Sequence, residues 1–171
     1  MNGLTTERLA IRKFELSDAG FILRLLNDEA FLHFIGDKGV RSIEDARDYL
    51  SSGPIASYHA NGFGLFHVAE KSSSEPIGMC GLLRRDGRQH PDIGFAFLPE
   101  YCARGFAFES ATAVLQFGHS ELEIDTILAY VNPDNERSIR LLKRLGLVYA
   151  GLVTLDGIPL PQKSYSSACS T

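Results

Sequence analysis

The sequence has few cysteines, and their spacing suits neither a structural metal site nor a disulfide framework. The 171 residues include three, Cys80, Cys102 and Cys169, with no CxxC pair and no cluster of histidines. Structural zinc sites and disulfide-rich domains need paired ligands at short, regular spacings. We therefore expect no disulfide framework and no metal in the functional site.

Positive charge is not in excess, and the sequence has no long apolar run. Lys and Arg number 17 against 21 Asp and Glu, and the formal net charge is −4. A general nucleic-acid binder needs excess basic residues to displace counterions, so we expect no nucleic-acid partner. No apolar run approaches the roughly 20 residues that cross a bilayer, and the start of the chain lacks the pattern of a signal peptide. We expect a cytoplasmic protein with no membrane partner.

The composition is that of an ordinary globular domain. Apolar residues make up 44% of the chain and charged residues 22%, which excludes a disordered protein. A chain of this length is too short for a second independent core, so we expect a single domain over residues 1–171. No Gly-x-Gly-x-x-Gly follows a strand near the N-terminus, which argues against a dinucleotide-dependent oxidoreductase.

Hydrophobic periodicity predicts alternating helices and strands. Apolar residues at spacings of three and four predict helices, and short apolar runs between turn residues predict strands. The predicted helices cover residues 17–28, 29–35, 42–52, 54–60, 105–120 and 134–145. The predicted strands cover residues 9–14, 63–70, 77–83, 93–98, 126–131, 147–155 and 163–167. This order predicts an α/β (α+β) fold, with a mixed sheet and helices on both faces.

One predicted strand passes through a short loop into a helix that opens with small residues. The strand at 93–98 is apolar almost throughout, as a strand buried on both faces would be. The helix begins at Gly105 and Ala107, with Arg104 beside them. Free amides at a helix N-terminus bind phosphate, and small residues allow a pyrophosphate to approach the backbone. A plain strand–loop–helix connection would have the same residues.

A second strand-to-helix unit follows, and together the two units resemble a known family. A strand ending at Val131 leads through Asn135 into a helix that Gly146 ends. The pair resembles the GNAT superfamily of acyl-CoA-dependent N-acetyltransferases. Residues 102–107 are similar to its pyrophosphate loop, Gln/Arg-x-x-Gly-x-Gly/Ala, and residues 135–147 to its Asn-x-x-Ser/Ala helix ending in Gly-Phe.

The start of the chain resembles one branch of that superfamily. The run from Thr6 to Arg12 is similar to the first strand of the RimJ/RimL-like enzymes, which acetylate the N-termini of ribosomal proteins. The resemblance implies a GNAT fold, a twisted and mostly antiparallel sheet whose central strands splay apart to admit acetyl-CoA. It implies an N-acetyltransferase in which a primary amine, of a protein N-terminus or a small molecule, attacks the acetyl group directly. Members often pair, so a homodimer is a further expectation.

The resemblance also implies how the cofactor binds. The backbone of Phe97 and Leu98 would follow the pantetheine arm, with one amide donating to the thioester oxygen as charge develops there. The amide of Cys102 would serve the pyrophosphate. A thiol near a helix N-terminus can have a lowered pKa and react with oxidants, and a structural role for Cys102 is the alternative. The expected cofactor-binding residues are Phe97, Leu98, Cys102, Ala103, Arg104, Gly105, Phe106, Ala107, Asn135 and Ser138.

Two catalytic residues are implied by the resemblance. Leu142 stands where the superfamily often has a Tyr that protonates the departing thiolate, and Ser138 is the nearest substitute. Ser138 is equally compatible with a cap in the first helical turn. Asp92 matches the acidic position that often serves as general base through water. Its rivals are Asp86, His90 and Glu109, and Glu109 is also placed to fix the loop.

The sequence leaves alternatives for the acceptor pocket and for catalytic activity. The pocket is expected near three segments and two late tyrosines: Phe31 to Phe34, the region around Tyr58, the hairpin near Arg84 and Arg85, and Tyr149 with Tyr165. Core packing is equally compatible with Phe31, Phe34 and Ile35, and packing is the alternative for Tyr149 and Tyr165. The basic residues of the second helix would meet the 3′-phosphate of coenzyme A or face solvent: Arg137, Arg140, Lys143 and Arg144. The departures at Cys102 and Leu142 keep open a catalytically inactive CoA-binding sensor or scaffold.

Overall fold

Eight strands form one sheet in the computed structural model, which describes residues 3–167. The strands are β1 (Leu4–Thr5), β2 (Leu9–Lys13), β3 (Leu65–Glu70), β4 (Pro76–Leu83), β5 (Asp92–Phe97), β6 (Leu128–Val131), β7 (Val148–Val153) and β8 (Gln162–Ser166). Their order across the sheet is β1-β2-β3-β4-β5-β6-β8-β7. Neighbouring strands are antiparallel except β5 and β6, which run parallel. The predicted mixed, mostly antiparallel sheet is confirmed.

The helices agree with the sequence pattern except at one junction. They are α1 (Ala19–Leu26), α2 (Glu29–Phe34), α3 (Ile43–Leu50), α4 (Ala56–Asn61), α5 (Phe106–Ser120) and α6 (Glu136–Arg144). The separate helices predicted at 42–52 and 54–60 are instead joined by a π-helical turn, Ser51–Ile55. The wider turn holds Pro54, which has no N–H to donate and would break a regular helix.

Helices cover both faces of the sheet. α5 and α6 contribute to one apolar cluster, and α1, α2 and α3 contribute to the other. Side chains alternate between the faces along a strand. On β3, Leu65 joins the second cluster and Phe66 the first, and on β4 Met79 and Cys80 divide in the same way. The two-faced arrangement predicted from the sequence is therefore confirmed.

The described residues hold no disulfide, metal cluster or membrane-spanning helix. Cys80 and Cys102 are free thiols, and Cys169 lies outside the described residues. Within 3–167, no three His, Cys, Asp or Glu side chains are grouped as metal ligands. No helix in this range has both the length and the apolar character to cross a bilayer.

His67 on β3 is a buried ionisable group in the core. Its ring makes edge contacts with Phe14 and Phe21, with centroids 5.6 and 5.4 Å apart, and Asp18 lies 3.9 Å away. Burial is the main cause that lowers the pKa of His67 to about 4. The charge of Arg12 adds to this effect, and the charge of Asp18 opposes it. The ring is therefore neutral at pH 7.

We predict that His67 makes the folded protein less stable as the pH falls. The folded pKa is about 4 and the ordinary value is 6.5, so the unfolded chain binds more protons between these values. The contribution is fully present above pH 6.5 and is lost towards pH 4, with a slope of at most about 1.4 kcal/mol per pH unit. Denaturant unfolding across this range should give a flatter profile for His67→Gln. Parallel profiles would contradict the prediction.

Candidate functional site

The separation of β5 from β6 opens a cleft of about 550 Å³. The two strands share one register pair, Asp92 with Leu128, and the N–H of Leu128 donates to the carbonyl of Pro91 (2.9 Å). Beyond that pair the described parts of the two strands form no further ladder. The cleft is lined by β5, the loop into α5, β6 and α6, with α2 at one side.

Backbone groups of β5 face this gap. The N–H of Leu98 donates to the carbonyl of Ile77 (2.9 Å), and hydrogen-bonded and non-bonded pairs alternate along an antiparallel ladder. The register of β4 with β5 therefore turns the amides and carbonyls of Phe95 and Phe97 towards β6, which does not pair with them. The expectation for the Leu98 amide is corrected: it is occupied, and the open amide is that of Phe97. Leu98 itself is 1% exposed in the core.

Cys102 differs from its predicted role in two ways. Its N–H donates to the carbonyl of Pro99 (3.1 Å), so this amide is not available to an anion. Its thiol lies 3.7 Å from the carbonyl oxygen of Phe97. Burial raises the pKa of this thiol, and nearby Arg137 only partly opposes the rise. Of the two alternatives for this thiol, the raised pKa agrees with the structural one, and Cys102 lines the cleft.

The amides that follow Cys102 are open. Ala103 has φ +60° and Gly105 has φ +84°, left-handed values that favour glycine. The N–H of Glu109 makes the first bond of α5, to the carbonyl of Gly105 (3.0 Å), and no side chain caps the helix. Within the described chain, the amides of 103–108 have no acceptor. Together with the helix dipole they make a place for an anion.

Glu109, in the first turn of α5, joins this loop to the N-terminal strands. Its carboxylate accepts from the hydroxyl of Thr6 (2.5 Å), the N–H of Arg8 (2.8 Å) and Nε of Arg8 (2.7 Å). Arg8 also donates to the carbonyl of Arg104 (3.0 Å). Burial raises the pKa of Glu109, but these hydrogen bonds together lower it further than burial raises it. Glu109 therefore stays ionised and holds the loop.

Two predicted residues of the loop face away from the cleft. The guanidinium of Arg104 lies 4.9 Å from the ring centre of Phe106 and 3.4 Å from the carboxylate of Glu70. Phe106 is 1% exposed. Their side chains do not line the cleft, so only their amides can serve it. The loop residues that do line it are Cys102, Ala103, Gly105 and Ala107.

The opposite wall begins at the N-terminus of α6. Oδ1 of Asn135 accepts the N–H of Ser138 (3.1 Å), so Asn135 is the cap. The hydroxyl of Ser138 has no hydrogen-bond partner in the part of the chain described. Asn135 and Ser138 both line the cleft. Leu142, in the place of the superfamily Tyr, is 1% exposed.

The basic residues of α6 divide between the cleft and solvent. Those that line the cleft are Arg137, Arg140 and Arg144. Arg140 lies 3.3 Å from Glu136, and the guanidinium of Arg144 lies 4.1 Å from the ring centre of Phe108. Lys143 is outside the lining. Three of the four residues of the predicted basic face therefore line the cleft.

Asp92 lies where the cleft begins. It is 2% exposed, and Arg85 holds it in a two-pronged ion pair, with Nε–Oδ1 2.7 Å and Nη2–Oδ2 3.0 Å. Burial raises the pKa of Asp92, and Arg85 opposes that rise. Each carboxylate oxygen keeps a second lone pair for another donor. Of its rivals, Asp86 and His90 do not line the cleft, and Glu109 is occupied by Thr6 and Arg8.

Tyr130 on β6 is a cleft residue that sequence reasoning missed. Its ring centre lies 5.6 Å from the guanidinium of Arg85 and 5.8 Å from that of Arg88. Burial, then the charge of Asp92, raises the pKa of Tyr130 against the effect of the two arginines. The phenol therefore keeps its proton near neutral pH. Side chains alternate between the two faces of β6, and Tyr130 is less buried than Ala129 and Val131 on either side of it. This period of two along a strand is the feature that could have placed Tyr130 in the cleft.

The residues predicted around the acceptor are only partly brought together. Those that line the cleft are Phe31, Phe34, Ile35 and Arg85. Tyr58 is instead a core residue, 8% exposed, whose hydroxyl accepts the N–H of Phe14 (3.0 Å). Tyr149 and Tyr165 pack against each other, with ring centres 5.6 Å apart, and do not line the cleft. Packing, the alternative left open for Tyr149 and Tyr165, therefore describes that pair, and Tyr58 itself lies outside the cleft.

The chain resembles known acetyltransferases over most of its length. Residues 8–148 match the family model for the acetyltransferase (GNAT) domain. Over 144 residues the chain is 29% identical to the uncharacterized N-acetyltransferase YnaD of Bacillus subtilis, covering 84% of this chain and 81% of YnaD. Over 159 residues it is 28% identical to the ribosomal protein uS5-alanine N-acetyltransferase of Escherichia coli, covering 86% of this chain and 79% of that protein. A GNAT-family crystal structure from Bacillus anthracis superposes with a TM-score of 0.78 at 25% identity, covering 96% and 95%.

Proposed function

The chain belongs to the GNAT family of acetyltransferases, and we propose that it acetylates a primary amine held in the cleft between β5 and β6. It is an acetyl-CoA-dependent N-acetyltransferase. The observation that carries the proposal for the site is the convergence of open backbone donors on one cleft. These are the Phe97 amide on β5 and the amides of 103–108 at the start of α5.

The residues present suit the chemistry of coenzyme A. A diphosphate needs several donors and positive charge; residues 103–107 offer amides, and Arg137 and Arg140 line the same cleft from α6. A Cβ at Gly105 would lie 3.2 Å from Nη2 of Arg8, so the bare glycine fits the anchored loop. We assign the pantetheine arm to the Phe97 backbone and a further cofactor contact to Asn135.

The cofactor, when bound, supplies an acetyl group activated as a thioester. The Phe97 amide donates to the thioester oxygen, where negative charge develops as the amine attacks. Asp92 takes the proton of the incoming amine through water, aided by the burial that raises its pKa. Ser138, with its hydroxyl uncommitted, protonates the departing thiolate. Arg85 orients Asp92 by its ion pair.

The acceptor is a primary amine of a protein N-terminus or of a small molecule. An α-amine has a pKa of about 7.7 to 8.0 and a lysine side chain about 10.4, so the α-amine is more often neutral near pH 7. A single buried carboxylate is therefore better matched to an α-amine. The E. coli relative is named for acetylating an alanine of ribosomal protein uS5, which supports an acceptor of this chemistry.

Gly105→Glu is expected to abolish or strongly weaken acetyl-CoA binding. The new side chain adds negative charge and bulk at the open amides, beside Arg8. Gly62→Glu is the matched control, since Gly62 also has a left-handed φ (+78°) and lies outside the cleft. Titration calorimetry should show at least a tenfold rise in Kd for Gly105→Glu alone. Equal Kd values for the two variants and the unmodified protein would contradict the assignment of the loop.

Release of free CoA thiol with a panel of amines and peptides tests the two proposed catalytic residues. Ser138→Ala should lower kcat at least about tenfold with little change in acetyl-CoA affinity, and Tyr130→Phe should have a small effect. Asp92→Asn should remove the rise of kcat/KM with pH. A fall in kcat for Tyr130→Phe but not for Ser138→Ala would assign the acid to Tyr130 instead. Cofactor binding without thiol release for any acceptor would favour a sensor.

A further inference from the structure

A second cavity, of about 460 Å³, shares a wall with the acceptor side of the cleft. The residues that line both spaces are Lys38, Tyr49, Leu65 and Leu83. Its remaining lining is mostly small side chains, from the π-helical turn and α4, with Leu82 and Arg84 at the end of β4. Its wall includes Leu83, the register partner of Asp92, and Arg84, the neighbour of Arg85 in the chain, so the cavity lies on the side of the cleft where the proposed attack takes place.

The charges around this cavity are unbalanced. It is lined by two cations, Lys38 and Arg84, and by no Asp or Glu. Nη1 of Arg84 donates to the carbonyl of Gln89 (2.9 Å), and neither cation has a carboxylate partner within residues 3–167. Other arginines do have one: Arg8, Arg12, Arg24, Arg41, Arg85, Arg104 and Arg140. A carboxylate bound in this cavity would therefore meet two cations that no carboxylate of residues 3–167 already occupies.

Cations also outnumber carboxylates along the cleft, which Lys38 and four arginines line against Asp28 and Asp92. Both oxygens of Asp92 already accept from Arg85, and Asp28 accepts N–H groups at the start of α2. Burial, then the charge of Arg85, lowers the pKa of Lys38. A polycationic amine would add like charge to this space, whereas a bound carboxylate would neutralise it.

We propose that the acceptor is a small amino carboxylate, with its amine beside Asp92 and its carboxylate beside Lys38 and Arg84. This inference rests on the proposed function. The phenol of Tyr49, on the shared wall, is a further donor to the carboxylate. The apolar side chains of Phe31, Phe34 and Leu83 border the same end of the cleft and suit an apolar body.

The reaction of such an acceptor balances without another reagent. The amine nitrogen forms a bond to the acetyl carbon while the carbon–sulfur bond of the thioester breaks. The proton lost by the amine leaves through Asp92, and the sulfur takes a proton to depart as the CoA thiol. The products are an N-acetylated amino carboxylate and free coenzyme A, and the acceptor carboxylate is unchanged.

Rates of CoA thiol release with paired acceptors test this inference. The panel is the common amino acids, β-alanine and 4-aminobutyrate, each beside its carboxamide, together with spermidine and a ten-residue peptide with a blocked C-terminus. We expect kcat/KM for at least one free acid to exceed that of its amide at least tenfold. We expect Lys38→Met to remove the difference mainly through KM, with unchanged Kd for acetyl-CoA. Arg47→Met, exposed on α3 and outside both cavities, is the charge-matched control.

A binding measurement keeps the test decisive if turnover is slow. The N-acetylated acids and their amides are titrated into the protein saturated with coenzyme A. Tighter binding of an acid, at least tenfold and lost in Lys38→Met, supports the inference. Equal affinity of acids and amides, or better turnover of spermidine or the blocked peptide, overturns it while acetyl-CoA binding stands. Failure to bind acetyl-CoA would instead overturn the proposed function.

Discussion

The separation of β5 from β6 after a single register pair is the constraint on which the site depends. Inside a sheet, backbone donors and acceptors are normally consumed by the neighbouring strand. Here β4 satisfies one side of β5, and the other side at Phe95 and Phe97 meets open space. The amides at the start of α5 open onto the same space. The free edge of β5 and a helix N-terminus therefore border one cleft.

The rest of the molecule holds that break in place. Glu109 fixes the start of α5 against Arg8 and Thr6 of the N-terminal segment, which is distant in sequence. Asn135 caps α6 and leaves the hydroxyl of Ser138 uncommitted. Arg85 binds Asp92 where the strands begin to part. Each of these contacts fixes a polar group at the edge of the cleft. The open donors inside the cleft remain available to a ligand.

Local sequence patterns predicted most of the fold and the position of the loop before α5. They did not predict which backbone amides are hydrogen-bonded or which tyrosine lines the cleft. Small residues at 105 and 107 after a buried strand pointed to the α5 N-terminus. The choice between the amides of Phe97 and Leu98 depends on the register with β4, and the loss of the Cys102 amide depends on a turn with Pro99. Tertiary packing alone separates Tyr58, a core residue, from Tyr130, which lines the cleft.

Amide hydrogen exchange, resolved by NMR with and without acetyl-CoA, tests the central claim most directly. Ligand-bound amides exchange more slowly because their hydrogens are engaged. The account predicts slower exchange at Phe97 and across 103–108 on addition of acetyl-CoA, with little change at Leu98 and Cys102, which already donate to Ile77 and Pro99. Unchanged exchange at Phe97 and 103–108 under saturating acetyl-CoA would contradict it.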